Sequence, residues 1–193
     1  VGVELDEREF DEKFNILEAP RLFLPDLAYY RKRCRLRDNP LAVAFADIDD
    51  FKRFNTAHGE ARVDRDLLTP FMECLEAHFF ARGHCYRFGG DEYLMLIPNC
   101  GETWAVSLLR DLQERLANCN YRGIDGRPTI SIGVVIVDGD TFLTDREVLE
   151  AANRGKAYAK ATAKGSIATF DGELYRDAEL RLSVKPVPSV DSP

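Results

Sequence analysis

The middle of the chain carries two apolar strand-like runs, His84 to Phe88 and Glu92 to Pro98, joined by Gly89-Gly90. A tight glycine turn between two such runs reads as a β-hairpin. Adjacent antiparallel strands there exclude a purely alternating parallel sheet. The remaining pattern fits around the hairpin. Leu41 to Ala46 is an unbroken apolar run, read as a central strand buried on both faces, and Thr129 to Val137 is a β-branched strand. Apolar stripes at helical spacing mark helices over Pro25 to Arg37, Phe51 to Ala57, Glu60 to Phe80 (with Pro70 as a kink), Glu102 to Ala117 and Asp145 to Ala163. Ser166 to Phe170 is a last short strand. The order helix, strand, helices, hairpin, helix, strand, helix, strand predicts an α+β fold with a mostly antiparallel central sheet covered by helices.

The 193 residues fit one domain. Residues 1–19 are expected to be an N-terminal linker helix, with Leu5, Phe10, Phe14 and Leu17 as its stripe. Residues 20–170 are expected to be the main folded domain. Residues 171–193 are expected to be a partly disordered extension with a short helix over Glu173 to Leu182. The five cysteines are odd in number and show no CxxC spacing, so reduced thiols in a cytoplasmic setting are expected. No apolar run is long enough to span a membrane, and no signal-peptide pattern follows Val1. The chain is read as part of a longer protein. Its 26 basic and 33 acidic residues leave a net charge of −7. That balance argues against a sequence-independent nucleic-acid surface but not against a nucleotide pocket.

Two acidic groups stand out. Asp47-Ile48-Asp49-Asp50 lies where the first strand leaves the core, and Asp91-Glu92 follows the glycine turn. If these strands are neighbours, Asp47 and Asp91 converge, and such a carboxylate set suits Mg²⁺ or Mn²⁺. Two such ions can activate a 3′-hydroxyl and stabilise a pyrophosphate leaving group. Gly-Gly-Asp is also an ordinary hairpin loop and Asp-x-Asp is common at strand ends, so these residues alone leave two unrelated surface turns open.

Longer motifs are more specific. Arg87-Phe-Gly-Gly-Asp-Glu-Tyr93 resembles the signature of the GGDEF family of diguanylate cyclases, with Tyr93 in place of the usual Phe. Asp47-Ile-Asp-Asp-Phe-Lys-Arg-Phe-Asn55 resembles that family's upstream strand-and-helix motif, and the two stand at the family's spacing. The resemblance covers about Leu22 to Phe170. It implies a fold like the palm of nucleotide polymerases and the nucleotidyl cyclases. It also implies condensation of two GTP into cyclic di-GMP and pyrophosphate across a homodimer, with two Mg²⁺ or Mn²⁺ per active site.

By resemblance, Asp47, the carbonyl of Ile48, Asp91 and Glu92 are metal ligands, and Asp91 is also the base for the 3′-hydroxyl. Lys52, Lys160 and Lys164 match residues that meet the triphosphate. Gly89 and Gly90 let the backbone approach the phosphates. Asn55 and Asp64 match the residues that read guanine. A carboxylate accepts two hydrogen bonds from guanine and only one from adenine. In this family an upstream sensor often sets the dimer.

The sequence also departs from the pattern. Leu22 to Tyr30 keeps only an echo of the family's opening motif. Thr56, Glu60 and Val63 replace residues usual around the base, and Phe80-Ala-Arg-Gly83 stands where the inhibitory product site would fall. Feedback through that route is therefore not expected. Two other readings remain at this stage. One is a cyclic oligonucleotide synthase of the CRISPR-polymerase type using another nucleotide. The other is a degenerate GTP-binding module.

Overall fold

Strand β1 (Leu41–Ile48) lies at the centre of the sheet, and its unbroken apolar run is buried on both faces. The structure, a computed structural model, describes residues 8–170 and 182–185. Alternation along β1 splits the core in two. Leu41, Val43 and Phe45 pack with helices α1 (Phe23–Arg37) and α6 (Asp145–Thr162) on one face. Ala42, Ala44, Ala46 and Ile48 pack on the other face against α4 (Thr69–Phe79) and α5 (Glu102–Asn118). The small alanines there leave room for Phe71, Phe79 and Tyr93, all fully buried.

β1 pairs antiparallel with β3 (Glu92–Pro98) and β4 (Ile130–Val137). β2 (His84–Arg87) completes the expected hairpin with β3. β5 (Ile167–Phe170) runs parallel to β4, which the crossover through α6 permits. The sheet order is β2-β3-β1-β4-β5-β6, where β6 (Leu182–Lys185) pairs antiparallel with β5. The α+β architecture expected from the sequence is therefore the one observed. Among the described residues, no helix is long and apolar enough to cross a membrane.

Three local readings change. The expected N-terminal linker helix is not formed over residues 8–19, and residues 1–7 lie outside the described residues. The Asp11 carboxylate instead accepts from the backbone N–H groups of Lys13 and Phe14, both at 3.2 Å. Asn15 is left-handed (φ 56°), and the Asp11 N–H donates to the Leu17 carbonyl at 2.8 Å. An aspartate that caps its own following backbone competes with a helix, and the turn still buries Leu17.

The long helix expected from Glu60 to Phe80 is α3 (Glu60–Val63), a π-turn (Asp64–Leu68) and α4. Pro70 has no N–H to continue the regular ladder, and the widened turn ahead of it takes up the defect. The Thr69 N–H and hydroxyl both donate to the Asp64 carbonyl there. Finally, residues 171–181 and 186–193, including most of the expected C-terminal helix, lie outside the described residues, while Leu182 opens strand β6.

Candidate active site at the end of β1 and β3

The register places Asp47 opposite Glu92 on β3 and opposite Ser131 on β4. The Ile48 N–H donates to the Asp91 carbonyl at 3.1 Å, which ties the glycine loop to the end of β1. Asp47, Ile48, Asp91 and Glu92, separate in sequence, are thus gathered at one end of the two central strands. Burial, then the nearby Asp47 charge, pushes the Asp91 carboxyl above the usual carboxylate range.

Asp49, one residue past the strand, is buried. Its carboxylate accepts from the hydroxyls of Thr129 and Ser131, each at 2.7 Å, and so anchors β1 to β4 just beside the site. Asp50 is left-handed (φ 53°) at the start of α2 (Phe51–His58). That sharp turn carries Lys52, exposed, and Asn55, half-buried, onto the helix that follows the carboxylates. Among the described residues, no hydrogen bond or ion pair ties Lys52, Asn55 or Asp64 to Asp47, Asp91 or Glu92.

The cations come from α6. Gly133 on β4 lets that helix lie directly on the sheet, because a Cβ at Gly133 would stand 2.0 Å from the Ala152 carbonyl oxygen and 2.2 Å from the Lys156 nitrogen. Lys156 and Lys160 stand one turn apart on α6 and face the carboxylates, and Lys164 follows just past the end of the helix, beyond the extended Ala163. Lys160 bonds Asp47 and lies 3.5 Å from the Ile48 carbonyl oxygen. Burial pulls its pKa down, but the hydrogen bond to Asp47 and the charges of Asp47, Asp49 and Asp91 leave it raised. Lys164 pairs with Asp50 at 2.6 Å, and that hydrogen bond holds the Asp50 carboxyl below its ordinary value. Both lysines thus sit on carboxylates.

Sequence reasoning assigned no role to Lys156. It is buried, bonds Glu92 and lies 4.0 Å from the centre of the Phe45 ring. Its one signal in the sequence is its place one turn before Lys160. Arg87 was likewise quoted only as part of the signature. It pairs with Asp11 at 2.9 Å, covers the Phe14 ring and donates to the Gly90 carbonyl at 3.3 Å, so it fastens the N-terminal turn to the glycine loop. The loop is closed by the N–H groups of Phe88 and Gly89 on the Glu92 carbonyl. Neither Gly89 nor Gly90 needs a left-handed φ, and a Cβ at Gly90 would meet nothing within 4 Å. The outer side of the loop is open. Asp64 opens the π-turn and pairs with Lys13 at 2.6 Å.

The donor set suits a hard cation. The Lys160 ammonium touches both the Asp47 carboxylate and the Ile48 carbonyl, so these two oxygens already share one cation. Among the described residues, three acidic or histidine ligand atoms crowd together elsewhere, at Glu18, Asp26 and His84. The Arg8 guanidinium bonds both carboxylates of that group, which therefore has its counter-charge. A hollow of about 600 Å³ between Tyr30, Arg82 and Trp104 is reached from the opposite ends of β2 and β3. It lies apart from the carboxylates.

Residues 17–166 match the family model described as diguanylate cyclase, GGDEF domain. The chain belongs to the GGDEF family. It is 28% identical over 173 residues to the bifunctional diguanylate cyclase/cyclic di-GMP phosphodiesterase MucR of Pseudomonas aeruginosa, covering 88% of this chain and 25% of MucR. It is 27% identical over 140 residues to the response regulator PleD of Caulobacter vibrioides, covering 70% of this chain and 30% of PleD. The chain thus spans about a quarter to a third of these relatives.

Among solved structures, the fold is similar to the GGDEF domain of FimX from Pseudomonas aeruginosa (TM-score 0.74, 21% identity, 82% of this chain and 97% of that one). It is also similar to the GGDEF-only form of YfiN, or TpbB, from the same organism (TM-score 0.77, 21% identity, 87% and 98%).

Within the GGDEF signature, Tyr93 is fully buried, packs near Phe71 with ring centres 5.2 Å apart, and its hydroxyl has no hydrogen-bond partner among the described residues. Burial pushes the phenol far above its ordinary pKa. A buried hydroxyl left unbonded costs about 1–3 kcal/mol. Tyr93→Phe, the family's usual residue, is therefore expected to raise stability by about 1 kcal/mol with the fold unchanged. Urea unfolding would show the gain as a higher midpoint at constant slope.

Proposed function

We propose that this chain is the catalytic domain of a diguanylate cyclase, condensing two GTP into cyclic di-GMP and two pyrophosphates. One observation carries the reading: Asp47, the Ile48 carbonyl and Glu92 meet at the end of β1 and β3, with Asp91 beside them and the lysines of α6 facing them. In this reading Asp47, Ile48 O, Asp91 and Glu92 hold two Mg²⁺ or Mn²⁺. The bound ions supply positive charge that favours the 3′-alkoxide and the pyrophosphate leaving group.

The chain's own groups do the rest. Asp91 accepts the 3′-hydroxyl proton. The 3′-oxygen bonds to the α-phosphorus of the other GTP, and the bond from that phosphorus to pyrophosphate breaks. Lys160 and Lys164, released from Asp47 and Asp50, meet the triphosphate together with Lys52. The open side of Gly90 admits the phosphates. Asn55 and Asp64 hold the guanine.

Each chain carries one such site, and closing the ring takes two 3′-attacks, so the working unit is a homodimer. An upstream sensor would set that dimer in the longer protein. Arg82, the only basic residue from Phe80 to Gly83, lies in the turn after α4 and bonds the His78 carbonyl of that helix at 2.7 Å. Product feedback at those positions is not part of this reading.

Pyrophosphate release with Mg²⁺ and each of the four nucleoside triphosphates tests the reading. Release from GTP alone, at a specific rate that rises with protein concentration, is expected. Turnover of ATP would overturn the guanine assignment. The alternative is a module that binds GTP without turnover. Tight GTP binding with no pyrophosphate would establish it.

A further inference from the structure

Lys13 lies on the N-terminal turn, far in sequence from every motif above, yet its ammonium is 2.6 Å from the Asp64 carboxylate. An exposed ion pair of this kind adds little stability, so stability does not explain why Lys13 is set against Asp64. That turn is built firmly. The Asp11 carboxylate caps it through the N–H groups of Lys13 and Phe14, Asn15 is left-handed, and Arg87 clamps both Asp11 and the Phe14 ring. Arg87 also reaches the Gly90 carbonyl, so the turn is tied to the catalytic loop itself.

We infer that Lys13 is a second base-reading residue, donating to the O6 of the guanine that Asp64 holds. This rests on the assignment of Asp64 to guanine under the proposed function. A carboxylate has more acceptor sites than guanine's two donors fill, so Lys13 keeps its contact when the base arrives. Guanine's O6 is adjacent to N1. An ammonium beside the carboxylate oxygen that accepts N1–H is therefore beside O6 as well. Adenine presents an amino donor at that position, which an ammonium repels. Asp64 selects against adenine at N1, and Lys13 selects against it at position 6. The long, half-exposed lysine arm can make this adjustment without moving the turn.

The test compares binding of the α,β-methylene analogues of GTP, 6-thio-GTP and ITP, none of which turns over. The 6-thio ligand keeps both donors and replaces O6 with a poor acceptor. ITP keeps O6 and loses the amino group that only Asp64 reads. Wild-type protein is expected to prefer the GTP analogue over both. Lys13→Met should weaken GTP-analogue binding about tenfold and abolish the preference over the 6-thio ligand, while the preference over ITP persists. Lys13→Arg should keep both preferences. An unchanged preference over the 6-thio ligand in Lys13→Met, or tighter binding of the GTP analogue, would overturn the role of Lys13 and leave Asp64 standing. Equal binding of all three ligands by the wild type would instead remove the Asp64 assignment, and this inference with it.

Discussion

Asp91→Asn is expected to lower cyclic di-GMP formation by at least roughly 10²–10⁴-fold, the range for loss of a general base. It should at the same time leave the protein as stable at neutral pH as the wild type, or more so. The two effects have one cause. Burial, and then the Asp47 charge, disfavour the ionised Asp91 carboxylate in the fold. A carboxyl raised in the folded state holds its proton more tightly there than in the unfolded chain. Its cost to stability is absent at pH below the ordinary aspartate value. It appears as pH rises through the raised value and persists at neutral pH. Asparagine removes the charge and the cost with it. Thermal melting from pH 3 to pH 8 should show a smaller stability loss with rising pH for the variant than for the wild type. An inactive variant that also melts much earlier at neutral pH would point to a structural role for Asp91.

Gly133→Ala is expected to be strongly destabilising. The new Cβ would meet the Ala152 carbonyl oxygen and the Lys156 nitrogen, both backbone atoms, at distances no side-chain rotation relieves. Helix α6 must lift from β4 or β4 must bend. Overpacking of a core costs about 1–3 kcal/mol, and contact with main chain belongs at the upper end, about 3 kcal/mol or more. The functional effect follows from the same displacement. Lys156 and Lys160 lose their seats on Glu92 and Asp47, so activity should fall even at temperatures where the variant is folded. Urea unfolding and the rate at low temperature check the two parts separately. A variant with wild-type stability would mean that the helix does not rest on the sheet as described.

How far the sequence carried can be judged from particular residues. β1 was legible because a strand buried on both faces is apolar throughout, and the hairpin because the glycine turn separates two such strands. The N-terminal segment was misread because Phe14 and Leu17 fit a helical stripe as well as they fit a turn, and the side chain of Asp11 decides between them. β6 (Leu182–Lys185) runs straight into a stretch with three prolines, Pro186, Pro188 and Pro193, so its few residues read as part of an extension rather than a strand.

In the site, Asp47, Asp91 and Glu92 were legible as carboxylates at strand ends. Asp49 looked the same, and only its contacts with Thr129 and Ser131 mark it as an anchor of the sheet. Those contacts come from a strand far along the chain. Lys156 was hidden because a buried lysine on a helix looks like an exposed one until its partner Glu92 is placed. The pairing of Lys13 with Asp64 was hidden for the same reason, since no local pattern brings the N-terminal turn to the π-turn.

The account rests on the claim that the carboxylates at the end of β1 and β3 join two GTP molecules 3′ to 5′. The most direct measurement is the mass of the nucleotide product after incubation of the purified protein with GTP and Mg²⁺. A product with the mass of cyclic di-GMP, accompanied by two pyrophosphates per molecule and absent in Asp91→Asn, is the expected result. GTP left intact under conditions where the protein binds it, or a linear or longer product, would contradict it.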